Sequence, residues 1–319
     1  MGWAGHRSAG PGVDAHPSPG ILRPSGPTED AYPPFPLRRR RAGPIEITRG
    51  CPFACGYCQT SRLLGTLPRH RSVETVARYA AAMRQKGACD VRVITPNAFS
   101  YGSPDGRTPN LPVLESLLAA LRRAVRADGR LFFGTFPSEV RPEHVDRPAL
   151  ELVRRFANND HLVIGAQTGS DRLLERCRRG DTVADVLSAV SRTLAAGIKP
   201  HVDFIFGLPG ETDEDLNSTI GAVRELAAMR ALIHAHAFMP LPQTLFAGQD
   251  RRPPPCRPRG AGPRRRAVRD PASAPVAGKA GPAGPQVVER AVDAEAVVLQ
   301  CREYGRPRSQ DRDWGRSRL

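Results

Sequence analysis

Lysine is almost missing from this chain. Of its 47 basic residues only Lys86, Lys199 and Lys279 are lysine, a bias that points to GC-rich coding and not to a function. Long apolar runs are missing too: no stretch is long enough to span a bilayer, and the N-terminus lacks the apolar segment of a secretory signal. Both absences argue against a membrane or exported protein. The seven cysteines have no framework spacing, which argues against a disulfide-stapled domain and for a reducing, cytoplasmic setting. Cys89 and Cys177 read as ordinary core or helix-side residues.

Acidic residues are in deficit, 32 against 47, for a net charge of +15. The excess lies mostly outside the patterned part of the chain. Residues 45–246 carry 25 basic and 21 acidic side chains, residues 1–44 carry 6 and 3, and residues 247–319 carry 16 and 8. Runs of charge usually belong to solvated segments, whereas a nucleic-acid footprint needs basic groups on an ordered face. A basic nucleic-acid-binding module is therefore the lesser alternative, resting on charge alone.

Residues 1–44 are rich in Pro and Gly, show no periodicity, and read as a disordered arm or linker. Between residues 45 and 246, apolar strand-like runs alternate with amphipathic helical runs. Strands are expected near 45–47, 91–95, 131–136, 162–166, 201–206 and 233–238, with helices near 73–86, 113–127, 149–156, 183–196 and 213–229. Ser72 and Thr212 are start signals, the latter followed by three acids, and Gly87 and Gly197 are stop signals. This alternation argues for an α/β fold, a parallel sheet with helices outside. A full eight-unit barrel takes about 250 residues, so the 202 residues from 45 to 246 suit six units, a partial (β/α)6 TIM-like barrel with disordered N- and C-terminal extensions.

After residue 246 the character breaks. Residues 247–319 hold ten prolines and no Ile or Phe, and Val and Leu together number nine. That is too little apolar mass for a packed segment, although residues 287–299 suit a weak helix. A sixth barrel helix is due just here and no good candidate follows. The segment reads either as a disordered basic tail or as non-native sequence, for example after a frameshift.

The chemistry concentrates in Cys51-Pro52-Phe53-Ala54-Cys55-Gly56-Tyr57-Cys58, directly after the first strand. The loops between these cysteines are too short for relaxed disulfides. Soft thiolates suit an iron–sulfur cube, which normally takes four cysteines; three leave one iron open to bind something else. Zinc would want a fourth Cys or His, and the nearest is His70, twelve residues after Cys58.

The spacing C-x3-C-x2-C, with an aromatic before the last cysteine, resembles the signature of the radical S-adenosylmethionine (SAM) superfamily, whose core is a six-unit partial barrel. The resemblance implies a [4Fe-4S] cluster on Cys51, Cys55 and Cys58, with SAM bound at the open iron. It also implies a small one-electron reductant such as flavodoxin or ferredoxin, since such clusters reach potentials down to about −700 mV. Reductive cleavage of SAM would then give a 5′-deoxyadenosyl radical that takes hydrogen from a substrate, the protein supplying orientation and exclusion of water.

Active groups of such barrels collect at the C-terminal strand ends. By the same resemblance Tyr57 packs against the adenine of SAM, or else shields the cluster. Asn97, after the second strand, stands where relatives bind the SAM amino group, often through a Gly-Gly-Glu that this chain lacks; alone it reads as a turn residue beside Pro96. Glu139 contacts SAM or substrate, or is a solvated loop acid. Gln167 is placed at the ribose and Arg179, in an Arg-Gly-x-Thr element, at the SAM carboxylate, which a guanidinium grips with paired hydrogen bonds. Asp203 points along the fifth strand toward the interior. His234 and His236 share one face of the sixth, as structural residues or in contact with substrate. No catalytic residue is assigned.

Gly207-Leu208-Pro209-Gly210-Glu211-Thr212 is similar to the Gly-Phe-Pro-Gly-Glu-Thr run of methylthiotransferases and cobalamin-associated members. Asp30-Ala31-Tyr32-Pro33-Pro34-Phe35 resembles the linker joining a cobalamin domain to the barrel, yet the 44 residues before the first strand are too few for that domain. Asp14-Ala15-His16 with Gly20 does not meet the spacing of a cobalamin loop. The expectation is a radical SAM enzyme of unread substrate, of methyl or methylthio transfer type, or a truncated member that binds a cluster without turnover.

Overall fold

The computed structural model describes residues 29–35 and 43–249. Expectations for the rest of the N-terminal arm, the Asp14–Gly20 stretch and the tail beyond residue 249 lie outside the described residues. The elements run β1 (Ile45–Glu46), β2 (Thr48–Arg49), α1 (Thr60–Leu64), β3 (Arg69–His70), α2 (Val73–Gln85), β4 (Asp90–Ile94), α3 (Leu111–Val125), β5 (Arg130–Phe132), α4 (Arg147–Phe156), β6 (His161–Gln167), α5 (Asp171–Arg176), α6 (Val183–Ala195), β7 (Lys199–Phe206), α7 (Asp213–Ala228) and β8 (Leu232–Ala237). Among the described residues no helix is long and apolar enough to cross a membrane.

Strand alternation decides which face meets the helices. Val91, Val93, Leu131, Phe133, Leu162, Ile164, Val202 and Phe204 are buried in one core with Leu114, Leu117, Leu118 and Leu121 of α3 and Val186 and Val190 of α6. Each such side chain contributes about 1.5–3 kcal/mol of burial. The alternate residues, including Arg92, Phe132, His201, Asp203 and His234, are left to the inner face. Ladders β1-β4-β5 and β6-β7-β8 are parallel throughout. Val163 N–H donates to the Gly134 carbonyl at 2.9 Å and Val140 bridges Ile164, so the two ladders join edge to edge. The result is the partial (β/α)6 barrel, with its strands in chain order.

The helices start where side chains satisfy their first N–H groups. Ser72 accepts from Thr75, and Thr182 and Thr212 form capping boxes with Asp185 and Asp215. Sequence placed the third strand at 131–136, but β5 ends at Phe132. Along its other edge and just past its end, side chains replace a neighbouring strand: Asn158 Oδ1 accepts from Leu131 N–H at 2.9 Å, while Asn159 brackets Phe133 through Oδ1 at 3.1 Å and Nδ2 at 2.7 Å.

Part of the arm read as linker is packed. Residues 29–35 lie along the free edge of β1, where Arg71, only 2% exposed, donates to the carbonyls of Glu46 (2.6 Å), Tyr32 (2.6 Å) and Glu29. Asp30 accepts from Ser72 N–H at 2.9 Å, and the Phe35 ring meets Tyr79 edge-on at 5.7 Å. An unpaired strand edge is a liability, and at Glu46 it is the Arg71 side chain that occupies the carbonyl. At the other end, the chain after β8 turns back over the strand ends, with Phe238 N–H on the Phe206 carbonyl at 2.8 Å and Phe246 N–H on the Gly56 carbonyl at 3.1 Å.

Candidate functional site

The cysteine loop leaves β2 and is pinned by backbone. Cys51 N–H donates to the Gly65 carbonyl (3.0 Å), Ser61 Oγ to the Cys51 carbonyl (2.7 Å), Gly56 N–H to the Cys177 carbonyl (2.8 Å), and Cys58 N–H to the Cys55 carbonyl (3.0 Å). All three thiols are free of disulfides. Burial raises the Cys51 pKa; the Phe53 N–H opposes it, the charges of Cys55 and Cys58 raise it further, and Arg141 lowers it. The three sulfurs thus lie within electrostatic reach of one another, as ligands of one cofactor must. Three soft thiolates suit an iron–sulfur cluster, whereas one zinc would want a fourth ligand. His70 is no fourth ligand: its nitrogens are taken by Thr48 Oγ1 (2.9 Å) and the Ser103 carbonyl (2.8 Å). Cys177 is buried beneath the loop, its pKa pushed up to about 12, and serves through its backbone.

Beside this loop, Gly165 on β6 leaves a gap that polar side chains fill. A methyl group on it would stand 2.6 Å from Gln167 Nε2, 2.6 Å from Glu139 Oε2 and 3.0 Å from Arg179 Nη2. Three residues picked from the sequence, one after β5, one at the end of β6 and one after α5, therefore meet over one α-carbon. Arg179 is 4% exposed and donates to the Gly165 carbonyl. Burial raises the Tyr57 pKa, Arg179 lowers it, and Cys55, Glu139 and Cys58 raise it, which sets the phenol between the cluster loop and this group. Burial raises Glu139 as well, with Arg179 pulling it down and Asp203 pushing it up. Asp203 lies in register between Gly165 and His234 and binds His234 Nδ1 at 2.8 Å, while His236 is exposed.

Gln167 takes a left-handed φ of +68° at a register shift in β6, which costs a non-glycine residue about 1 kcal/mol or more. Such strain is commonest where a side chain is aimed for function. Asn97 lines a hollow with Cys51 and Phe53, away from Gly165. Its Nδ2 donates to His144 Nδ1 at 2.7 Å and to Ser100 Oγ, and its Oδ1 accepts from Arg141 N–H at 3.2 Å. The amide stitches the end of β4 to the 141–144 segment.

Two residues were missed. Arg141, 4% exposed at its side chain, lies 3.5 Å over the Phe53 ring and donates to the Arg179 carbonyl. Asp181, whose side chain is 0% exposed, sits 3.2 Å from Arg179 Nε and 3.7 Å from Arg141 Nη2. Neither carboxylate oxygen has a hydrogen-bond partner among the described residues. Burial raises its pKa, with Arg179 and then Arg141 pulling it down. The only signal in sequence was its place inside the Arg-Gly-Asp-Thr element, where attention went to the arginine.

The family model described as the Radical SAM superfamily matches residues 45–223. The chain is 29% identical over 206 residues to a protein of Methanopyrus kandleri, covering 63% of this chain and 38% of that one. It is 31% identical over 215 residues to tRNA-2-methylthio-N(6)-dimethylallyladenosine synthase of Geobacter metallireducens (64% and 44% covered). It is 30% identical over 206 residues to threonylcarbamoyladenosine tRNA methylthiotransferase of Thermotoga maritima (63% and 44%). In fold it is similar to the radical S-adenosylmethionine methyltransferase TsrM of Kitasatospora setae, solved with cobalamin and a [4Fe-4S] cluster bound, with TM-score 0.52, 21% identity, and 66% and 39% covered. The chain spans less than half the length of these proteins.

Proposed function

This chain belongs to the radical SAM superfamily, and on that premise we propose that residues 43–249 form the SAM-cleaving core of a methyl- or methylthio-transfer enzyme. Cys51, Cys55 and Cys58 would hold the [4Fe-4S] cluster, which when bound supplies the electron for reductive cleavage of SAM. The observation that carries the reading is the meeting of Glu139, Gln167 and Arg179 over Gly165, beside Tyr57 of the cysteine loop.

Each of these residues has a task suited to its chemistry. The Arg179 guanidinium pairs with the SAM carboxylate. Glu139 and Asp203 place negative charge where the ammonium and sulfonium need it. Gln167, fixed by its strained backbone, offers an amide to the ribose, and Tyr57 lies along the adenine. The apolar group of Leu173, Leu208, Phe238 and Phe246 packs beneath the loop and keeps water from it. The transfer chemistry rests on what the relatives' names state: two modify tRNA with a methylthio group and one is a methyltransferase. A cytoplasmic setting with flavodoxin or ferredoxin as electron donor suits the oxidation-sensitive thiols.

Anaerobic reconstitution of the full chain with iron and sulfide, followed by SAM and a one-electron reductant, tests the reading. We expect about four irons per chain and release of 5′-deoxyadenosine, with Cys55→Ala losing the iron. Iron uptake without deoxyadenosine would instead support a truncated member that does not turn over. Failure to take up iron would overturn the reading.

A further inference from the structure

The inner wall of the barrel carries a guanidinium built to receive an anion. Val91 and Val93 face the helices, so Arg92 between them faces the lumen. Its plane lies 4.2 Å over the ring of Phe132, its registered partner on β5. One nitrogen is anchored, with Nη1 donating to Thr135 Oγ1 at 2.9 Å and to the Phe136 carbonyl at 3.3 Å. Nε and Nη2 make no hydrogen bond among the described residues. That free edge is the one with which arginine grips two oxygens of a carboxylate or phosphate.

No carboxylate of the lumen neutralises it. Asp90 is held by Arg130 through bonds of 2.7 and 2.9 Å, Asp203 by His234 at 2.8 Å, and Glu46 by Arg49 at 2.9 Å, while Glu139 faces Arg179 over Gly165 and feels the charges of Arg179 and Arg141. Stacking and the Thr135 bond remove most of the side chain's freedom in advance, so little ordering cost remains when a ligand binds. Next to this charge, Ile94 (39% exposed) and Phe136 (78% exposed) present apolar surface.

We propose that the lumen of the open barrel binds an organic anion, a carboxylate or phosphate group on an apolar body, with Arg92 as its charge partner. This deepens the proposed function by naming the substrate class, and it rests on the lumen being the substrate chamber.

The test titrates the full chain with benzoate and, separately, with phenyl phosphate, against chloride at equal ionic strength, following the probe's own NMR signals by saturation transfer from the protein. We expect saturable binding of at least one probe. It should vanish in Arg92→Gln, persist in Arg130→Gln, and be about tenfold weaker in Arg92→Lys, which keeps the charge and loses the fork. The tighter probe identifies carboxylate or phosphate as the chemistry read. No saturable binding of either probe, or the same binding in Arg92→Gln, overturns the inference. Deoxyadenosine release from the same wild-type preparation separates the outcomes: release without anion binding sinks only this inference, while no iron uptake and no release sinks the enzyme reading.

Discussion

The ring of Phe246 lies where a side chain on Gly56 would be, 2.9 to 3.1 Å from the position of its β-carbon, and the Phe246 N–H donates to the Gly56 carbonyl at 3.1 Å. One bears the middle of the cysteine loop; the other is the last buried apolar residue described. Together they tie the strand that opens the barrel to the chain that leaves it. Truncating a buried Phe to Ala costs about 3 kcal/mol, and here the cavity would open beneath the cluster loop. Phe246→Ala should therefore lose iron to a chelator faster than wild type. Leu226→Ala, a remote core truncation of comparable cost, should not. Equal iron-loss rates in the two variants would show that the contact matters only for global stability.

The charges beside the loop alternate, Glu143, Arg141, Asp181, Arg179, Glu139, with the middle three buried. Removing one partner of such a row leaves uncompensated charge and frees the guanidinium it steadied. Asp181→Asn should weaken SAM binding to the reconstituted protein by about 30-fold, roughly 2 kcal/mol, while iron content stays at the wild-type level. Equilibrium titration with SAM and an iron assay on the same sample measure both. Unchanged SAM affinity would remove Asp181 as a positioning residue.

Gln167 sets stability against binding. Glycine accepts φ +68° without the side-chain penalty. Gln167→Gly should raise unfolding stability by about 1 kcal/mol and reduce SAM affinity, because the amide over Gly165 is gone. Gln167→Ala should lose the affinity without gaining the stability. Denaturant midpoints read against SAM titrations separate the two effects. A Gly variant no more stable than wild type would show that the bend costs nothing.

What sequence revealed is what local pattern encodes. Strand β7 reads at once as a strand, because His201, Asp203 and Ile205 alternate with Val202, Phe204 and Phe206. Helix α7 announces itself through Thr212 and Asp215. The spacing of the loop cysteines carries the resemblance to the family whose model matches. Hidden were the features that depend on residues distant in the chain. Asn158 and Asn159 end β5 by side-chain bonds that have no periodicity. Arg71 ties residues 29–35 to β1 through the carbonyls of Glu29 and Tyr32, up to 42 residues away, and that of Glu46. Phe246 sits in a short Leu-Phe-Ala run with no periodicity, and its role appears only when Gly56 is placed against it. Asn97 and Asp181 show the same limit in the site: only packing reveals that the amide of one is held by Ser100, His144 and Arg141, and that the carboxylate of the other lies between two guanidinium groups.

His201 makes the barrel interior sensitive to acid. Its ring stacks on His161 at 4.2 Å and meets His234 edge-on at 5.2 Å. Burial lowers its pKa most and the two imidazoles lower it further, against the weaker pull of Asp160 and Asp203, so that it falls from 6.5 to about 4. An unfolded chain takes up this proton near pH 6.5, whereas the folded chain resists it down to about 4. The unfolded state thus binds more protons within that window, and stability falls as pH falls through it, being fully present above 6.5. Allowing for partial exposure, the loss from this group is about 2 kcal/mol. His201→Leu removes the titrating group while keeping apolar bulk against His161. Its denaturant midpoint should therefore drop less than that of wild type between about pH 7 and about pH 5. If both proteins lost stability equally over that range, the acid sensitivity would have to come from other groups.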